Sequence, residues 1–187
     1  MLRRPNDLLL LIATYIESER DINMLARTNR RLFSYLDPFL YRHNVNYSHS
    51  SAFRWAATCG QERTARRAID AGSKESDEAL RLSAAHEHEE VTRILLAVEG
   101  INKNPRDYIW RIPLSHAAAE GHGSIVRLLL DTGKVDIKSR DAFDWTPLFC
   151  AVSGGHESIV KLLLDTGKVD IDSRDNSGRT PLSHAAA

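Results

Sequence analysis

The chain has 187 residues, 42% hydrophobic and 27% charged, enough apolar material for a sizeable core and a surface suited to water. Lys+Arg and Asp+Glu both total 25, so no bulk charge draws the chain to nucleic acid or anionic lipid. Cys59 and Cys150 are far apart and outside any Cys-x-x-Cys spacing. That sets aside a disulfide framework and a cysteine zinc site, and predicts reduced thiols in a cytoplasmic or nuclear protein.

The chain opens on Arg3-Arg4 ahead of Leu8-Leu9-Leu10-Leu11-Ile12-Ala13, an order that imitates a secretion signal. Asp7 interrupts the junction, Thr14, Tyr15 and Glu17 end the apolar run early, and no small-x-small cleavage site follows. No apolar run approaches the roughly 18 residues of a membrane span, so a soluble intracellular protein is expected. Residues 5–47 predict three short helices. The first starts at Pro5-Asn6-Asp7 with an acidic first turn and carries Leu8, Leu9, Ile12 and Ile16. Asp21 caps a second, with Ile22, Leu25 and Ala26. The third runs from near Asn29 through Leu32, Phe33 and Leu36, limited by Pro38, and Phe39-Leu40-Tyr41 leads on towards residue 51. A unit this small buries little by itself and needs a neighbour or a partner.

From residue 51 the chain repeats. Ile112-Pro113-Leu114-Ser115-His116-Ala117-Ala118 returns as Thr146-Pro147-Leu148-Phe149-Cys150-Ala151-Val152 and again as Thr180-Pro181-Leu182-Ser183-His184-Ala185-Ala186, 34 residues apart each time. Gly121-His122 matches Gly155-His156, and Ser139-Arg140-Asp141 matches Ser173-Arg174-Asp175. A fainter copy carries Leu80, Ala84-Ala85, His88, Val91 and Ile94-Leu95-Leu96, and another starts with Phe53, Ala56-Ala57 and Gly60. The units divide as 51–77, 78–111, 112–145, 146–179 and a partial 180–187, after a separate segment 1–50. Because the last unit stops inside its first helix, a fragment or a fraying end is expected.

Each unit reads as two helices. Proline at the first helical position wastes no hydrogen bond, and Thr146 or Thr180 before it is a good N-cap. Leu114, Ala117 and Ala118 give a first helix a small-residue face, and Gly121 stops it. Ile125, Leu128 and Leu129 form the apolar stripe of a second helix, which Gly133 ends. Neither helix is long enough to stand alone, so each unit must lean on the next. A first helix of about two turns is too short for a tetratricopeptide unit of the same period. From Gly133 to Pro147 is 14 residues, leaving room for a projecting loop, whereas from Gly72 to Ala79 is only seven. Fingers are therefore expected at 103–111, 138–145 and 174–179, and none between the first two units.

Thr146-Pro147-Leu148, Gly155-His156, Ile159-Val160, Leu162-Leu163-Leu164 and Gly167 resemble the ankyrin-repeat consensus, over residues 51–187. The resemblance implies an all-α solenoid of helix-turn-helix units with β-hairpin loops, which binds protein partners through finger tips and the concave face of the first helices. Ser115, Phe149 and Ser183 replace the usual His after Pro-Leu, as in ankyrin arrays of fungal type. Trp110 and Asp144 stand where the turn glycine belongs, while Gly178 keeps it, so altered tips are expected on those two fingers. Target contacts fall to residues that vary between fingers on a fixed frame: Tyr108, Ile109 and Arg111, then Ala142, Phe143 and Trp145, then Asn176, Ser177 and Arg179. Packing between fingers is nearly as good an account of Trp110 and Trp145.

Pro5-Asn6-Asp7-Leu8-Leu9-Leu10-Leu11-Ile12, Arg20-Asp21-Ile22 and Leu25-Ala26-Arg27-Thr28-Asn29-Arg30-Arg31-Leu32 resemble an F-box, giving a small three-helix F-box-like segment before the solenoid. Arg4, Asp7 and Thr28-Asn29 depart from that motif. The resemblance implies a Skp-type adaptor of a cullin-based ubiquitin ligase as partner, docked on Pro5, Leu8, Leu9, Ile12, Ile16, Ile22 and Leu25. The same apolar residues also suit the core of a bundle that only caps the array.

No residue set combines enzymatic roles with the right spacing. His86-Glu87-His88 puts two imidazoles on diverging directions, without the i, i+4 spacing of a helical zinc pair. His88, His122 and His156 recur at inter-helix turns, and His116 and His184 recur by repeat position, which argues against a single catalytic base. No phosphate loop, nucleophile elbow or carboxylate pair is present, so no enzyme, cofactor, metal, nucleic acid or membrane is implied. Asp107, Asp141 and Asp175, each after an arginine, have the register of turn-stabilising residues.

Overall fold

Apolar stripes of helical period, cut by glycine and restarted by proline, leave the chain one economical arrangement, which is to lay helix pairs side by side. The computed structural model describes residues 51–70, 72 and 76–186. The N-terminal helices read above, with their adaptor-facing side chains, lie outside the described residues. The described elements are α1 (Ser51–Cys59), α2 (Glu62–Asp70), α3 (Ser76–Ala85), α4 (Glu89–Leu96), α5 (Pro113–Glu120), α6 (Gly123–Asp131), α7 (Pro147–Ser153), α8 (Glu157–Asp165) and α9 (Pro181–Ala185). They pair as α1/α2, α3/α4, α5/α6 and α7/α8, with α9 following.

The local causes are those the sequence indicates. Pro113, Pro147 and Pro181 occupy the first turns of α5, α7 and α9. The Thr146 hydroxyl accepts from the Phe149 N–H, and Thr180 and Ser183 cap each other reciprocally. Gly121, at φ 84°, closes α5 in the left-handed conformation. A Cβ there would also lie 2.7 Å from the His156 ring of the next unit, so the glycine serves close approach as well. That ring explains the Gly-His pattern. Each imidazole Nε2–H reaches back one unit to a carbonyl near the end of the preceding first helix: His88 to Thr58 at 2.7 Å, His122 to Ala85 at 3.1 Å, His156 to Ala119 at 2.9 Å. Carbonyls there have no intrahelical partner, and the histidines supply one.

The first helices α1, α3, α5, α7 and α9 stack as one layer and the second helices α2, α4, α6 and α8 as another, with contacts running within a pair and between neighbouring pairs. Two apolar clusters result. One joins Phe53, Ala56, Ala65, Ala68, Leu80, Val91 and Leu95; the other joins Ile112, Leu114, Ile125, Val126, Leu129, Leu148, Ile159 and Leu163. Leu96 packs against both. The stripe of α6 is turned slightly from expectation: Val126 is fully buried, whereas Leu128 is half-buried. Facing α4 and α8 at once rotates the helix towards a wider apolar sector.

Two expectations about the loops are corrected. The described residues contain no β-strand. Each finger closes with two backbone bonds: the N–H of Asp107, Asp141 or Asp175 donates to the carbonyl of Arg111, Trp145 or Arg179, and the N–H of Trp110, Asp144 or Gly178 donates to the aspartate's own carbonyl. Neighbouring fingers share one more, Ala142 N–H to Ile109 and Asn176 N–H to Phe143. Two closing bonds within a finger and one link to the next make a turn, not a ladder. Nor do Trp110 and Asp144 alter their tips: they adopt φ 67° and 60°, alongside 76° at Gly178, with the same closing bonds. The frame imposes the left-handed conformation, at a cost of about 1–2 kcal/mol for a residue with a Cβ.

Candidate interaction surface

What imposes it is the aspartate under each finger. Asp107 Oδ1 accepts the N–H groups of Ile109 and Arg111, both at 2.9 Å. Asp141 Oδ1 takes those of Phe143 at 2.8 Å and Trp145 at 3.0 Å, and Asp175 Oδ1 those of Ser177 at 2.9 Å and Arg179 at 2.8 Å. The second oxygen finds a side chain: His116 Nε2 on Asp107 at 2.9 Å, Arg111 Nε on Asp141 at 3.0 Å, Arg179 Nε on Asp175 at 2.9 Å. These carboxylates are almost wholly enclosed, with side-chain exposures of 3%, 0% and 2%. The turn-stabilising role read from register is thus what they perform.

The electrostatics follow from this geometry. Burial raises the Asp175 carboxyl, but the Arg179 and Ser177 N–H groups and the Arg179 guanidinium outweigh it and hold the acid below its usual range. For His116, burial pushes the imidazole below its usual value; Asp107 opposes this, and Arg81 and Arg111 reinforce burial. Burial also lowers Arg111, but the bond to Asp141 wins and the guanidinium is held more firmly charged. Cys150, enclosed in α7, is pushed up to about 12 by burial and is no nucleophile at neutral pH, while Cys59 is exposed; both are free thiols.

The nine residues read as target contacts divide into three sets. Tyr108 at 90% exposure, Phe143 at 52%, Ala142, Asn176 and Ser177 stand at the tips in solvent. Asn176 Nδ2 also ties back to the Ala142 carbonyl at 3.0 Å. Ile109 is half-buried and its carbonyl carries the link to the next finger; Arg111 and Arg179 are ion-paired with the enclosed aspartates. Trp145 turns inward, its ring 4.8 Å from Phe149 and 5.7 Å from His184. Trp110 does the opposite. It is 61% exposed, with the Arg106 guanidinium 5.3 Å above its ring. One tryptophan packs and the other faces outward, a split that the sequence left open.

Sequence reasoning passed over Trp55, 53% exposed on α1, because an aromatic in a helix reads as core. It also treated Arg106, Arg140 and Arg174 as mere neighbours of the aspartates. Arg106 Nη1 lies 3.5 Å from the Arg140 carbonyl, and Arg140 Nη1 donates at 2.9 Å to that of Arg174, so the arginines form a row along the finger edge.

The rings of His86 and His88 do not diverge but lie parallel, 6.2 Å apart, each held to a different carbonyl. Among the described residues no group of His, Cys, Asp or Glu is placed to hold a metal ion, and no helix is long and apolar enough to cross a membrane.

A repeat array with enclosed latches, varied tips and an outward row of aromatics and arginines defines a class, the solenoid interaction modules. The chain belongs to the ankyrin-repeat family, whose three-copy model matches residues 53–141 and 114–187. Ankyrin repeats are protein-interaction modules, so protein partners are implied. Comparison with curated proteins finds no match.

Proposed function

We propose that the chain is a substrate receptor of a Skp/cullin/F-box ubiquitin ligase, working in the cytoplasm or nucleus. Residues 1–50 would dock a Skp-type adaptor through Pro5, Leu8, Leu9, Ile12, Ile16, Ile22 and Leu25, and residues 51–187 would select the target through the finger face. The observation that carries the reading is the order of the parts: an F-box-like run, Pro5 to Leu32, stands ahead of a repeat array whose tips present Tyr108 and Phe143 to solvent. Neither part needs chemistry of its own, since such a receptor brings a target near an activated ubiquitin held elsewhere. The second reading is an ankyrin scaffold whose N-terminal helices only cap the array, favoured by the departures at Arg4 and Thr28-Asn29.

Co-purification of the full chain with a Skp-type adaptor separates the two. Wild-type capture, lost in Leu9→Asp and Ile12→Asp variants that keep native helicity, supports the receptor. No capture by the wild type at micromolar protein leaves the scaffold.

A further inference from the structure

The chain is neutral in sum, but its finger edge is not evenly balanced. Of the finger carboxylates, Asp107, Asp141 and Asp175 point inward and have their oxygens occupied, which leaves Asp144 on the fingers themselves, with Asp136, Asp170 and Asp172 exposed in the loops that lead to them. Arg111 and Arg179 are matched by the enclosed acids. Arg106, Arg140 and Arg174 differ: their bonds run to carbonyls, and among the described residues none of the three has a carboxylate partner. A carbonyl satisfies a donor without cancelling its charge. One uncompensated guanidinium therefore stands on each of three successive fingers, beside the exposed rings of Tyr108, Trp110 and Phe143.

We infer that this edge binds an extended acidic peptide segment with a carboxylate at every third position, wound as a polyproline-type helix. The inference rests on the reading of the finger face as a protein-binding surface, and it names the partner's chemistry. Neighbouring units stack at packed-helix distances, about 8–10 Å, which sets the interval between the arginines. A polyproline helix rises about 3.1 Å per residue with three residues per turn, so side chains three apart share one face roughly 9 Å apart. In a β-strand, side chains three apart point to opposite faces, and the match fails. Nucleic acid fits less well, since a duplex strand presents a phosphate about every 3.4 Å, far closer than the interval between the arginines. The exposed aromatics suit the apolar or prolyl residues between the acids, as in grooves that take proline-rich segments.

The test uses the full chain and short synthetic peptides followed by fluorescence polarisation. One peptide carries glutamate at every third position, a second has the same composition with the glutamates grouped, and a single-stranded oligonucleotide of equal charge is the third ligand. The spaced peptide should bind best and weaken with salt, and each of Arg106→Gln, Arg140→Gln and Arg174→Gln should lower its affinity about two- to fivefold. Because Arg140 also braces its finger, Arg140→Lys, checked for an unchanged melting temperature, should keep most of the binding. Equal binding of the grouped peptide, indifference to the triple Arg→Gln change, or tighter capture of the oligonucleotide overturns the inference. Selection from a random peptide library separates this failure from that of the reading beneath it. Peptides that depend on Tyr108 and Phe143 but carry no spaced acids sink the inference and keep the interaction surface. No tip-dependent peptide at all sinks both.

Discussion

The first two helix pairs and the next two are built to one plan from different material. In α1–α4 the buried side chains include Ala56, Ala57, Ala65, Ala68 and Ala79, with Phe53 the largest; in α5–α8 they include Ile125, Val126, Leu129, Ile159 and Leu163. The connections differ as well. Between α2 and α3 lie only residues 71–75, whereas residues 132–146 join α6 to α7 and project a finger with an aspartate beneath it. The link inside the alanine-rich half is too short for a finger, and the fingers stand after α4, α6 and α8.

The largest expected effect sets one core against the other. Leu129→Ala leaves a cavity between α6 and its neighbours and should cost about 2–5 kcal/mol in urea unfolding. Ala65→Gly in α2 should cost about 1 kcal/mol, mostly from backbone freedom. Equal losses would mean that the two clusters carry equal shares of stability. The next effect concerns the latch. Asp141→Ala strips partners from the Phe143 and Trp145 N–H groups and from Arg111, so a loss of about 1–3 kcal/mol is expected. Amide exchange should quicken at those two positions and stay unchanged in α1–α4; uniform quickening would show that the finger is not a local unit. The smallest effect is a gain. Glu87 sits at φ 60° at the inter-helix turn where the later units have Gly121 and Gly155, so Glu87→Gly should stabilise the first half by about 0.5–1 kcal/mol, a residue of strain relief over glycine's entropy. A loss instead would mean that the contact of Glu87 with His122, 3.6 Å away at an exposed carboxylate, outweighs the strain.

Much of this is legible in the sequence. The 34-residue spacing, the Thr-Pro starts and the glycine stops place α5–α9 almost to the residue, because each rests on a local rule of capping or backbone freedom. The short link before α3 was legible by counting. What failed was local substitution logic: Trp110 and Asp144 in place of glycine suggested altered tips, but the aspartate latch overrides the preference of a single residue.

The sequence by itself therefore determined the unit, its period, its caps and the absence of a finger between the first pairs, since all of these follow from interactions within a few residues. Only the tertiary structure decided what depends on the neighbouring copy. It sent Trp145 inward and Trp110 outward, hung His88, His122 and His156 on carbonyls one unit back, and aligned Arg106, Arg140 and Arg174 into one edge. The histidine and arginine bonds join positions about a repeat apart, and no local preference specifies which side of a stack a ring will face.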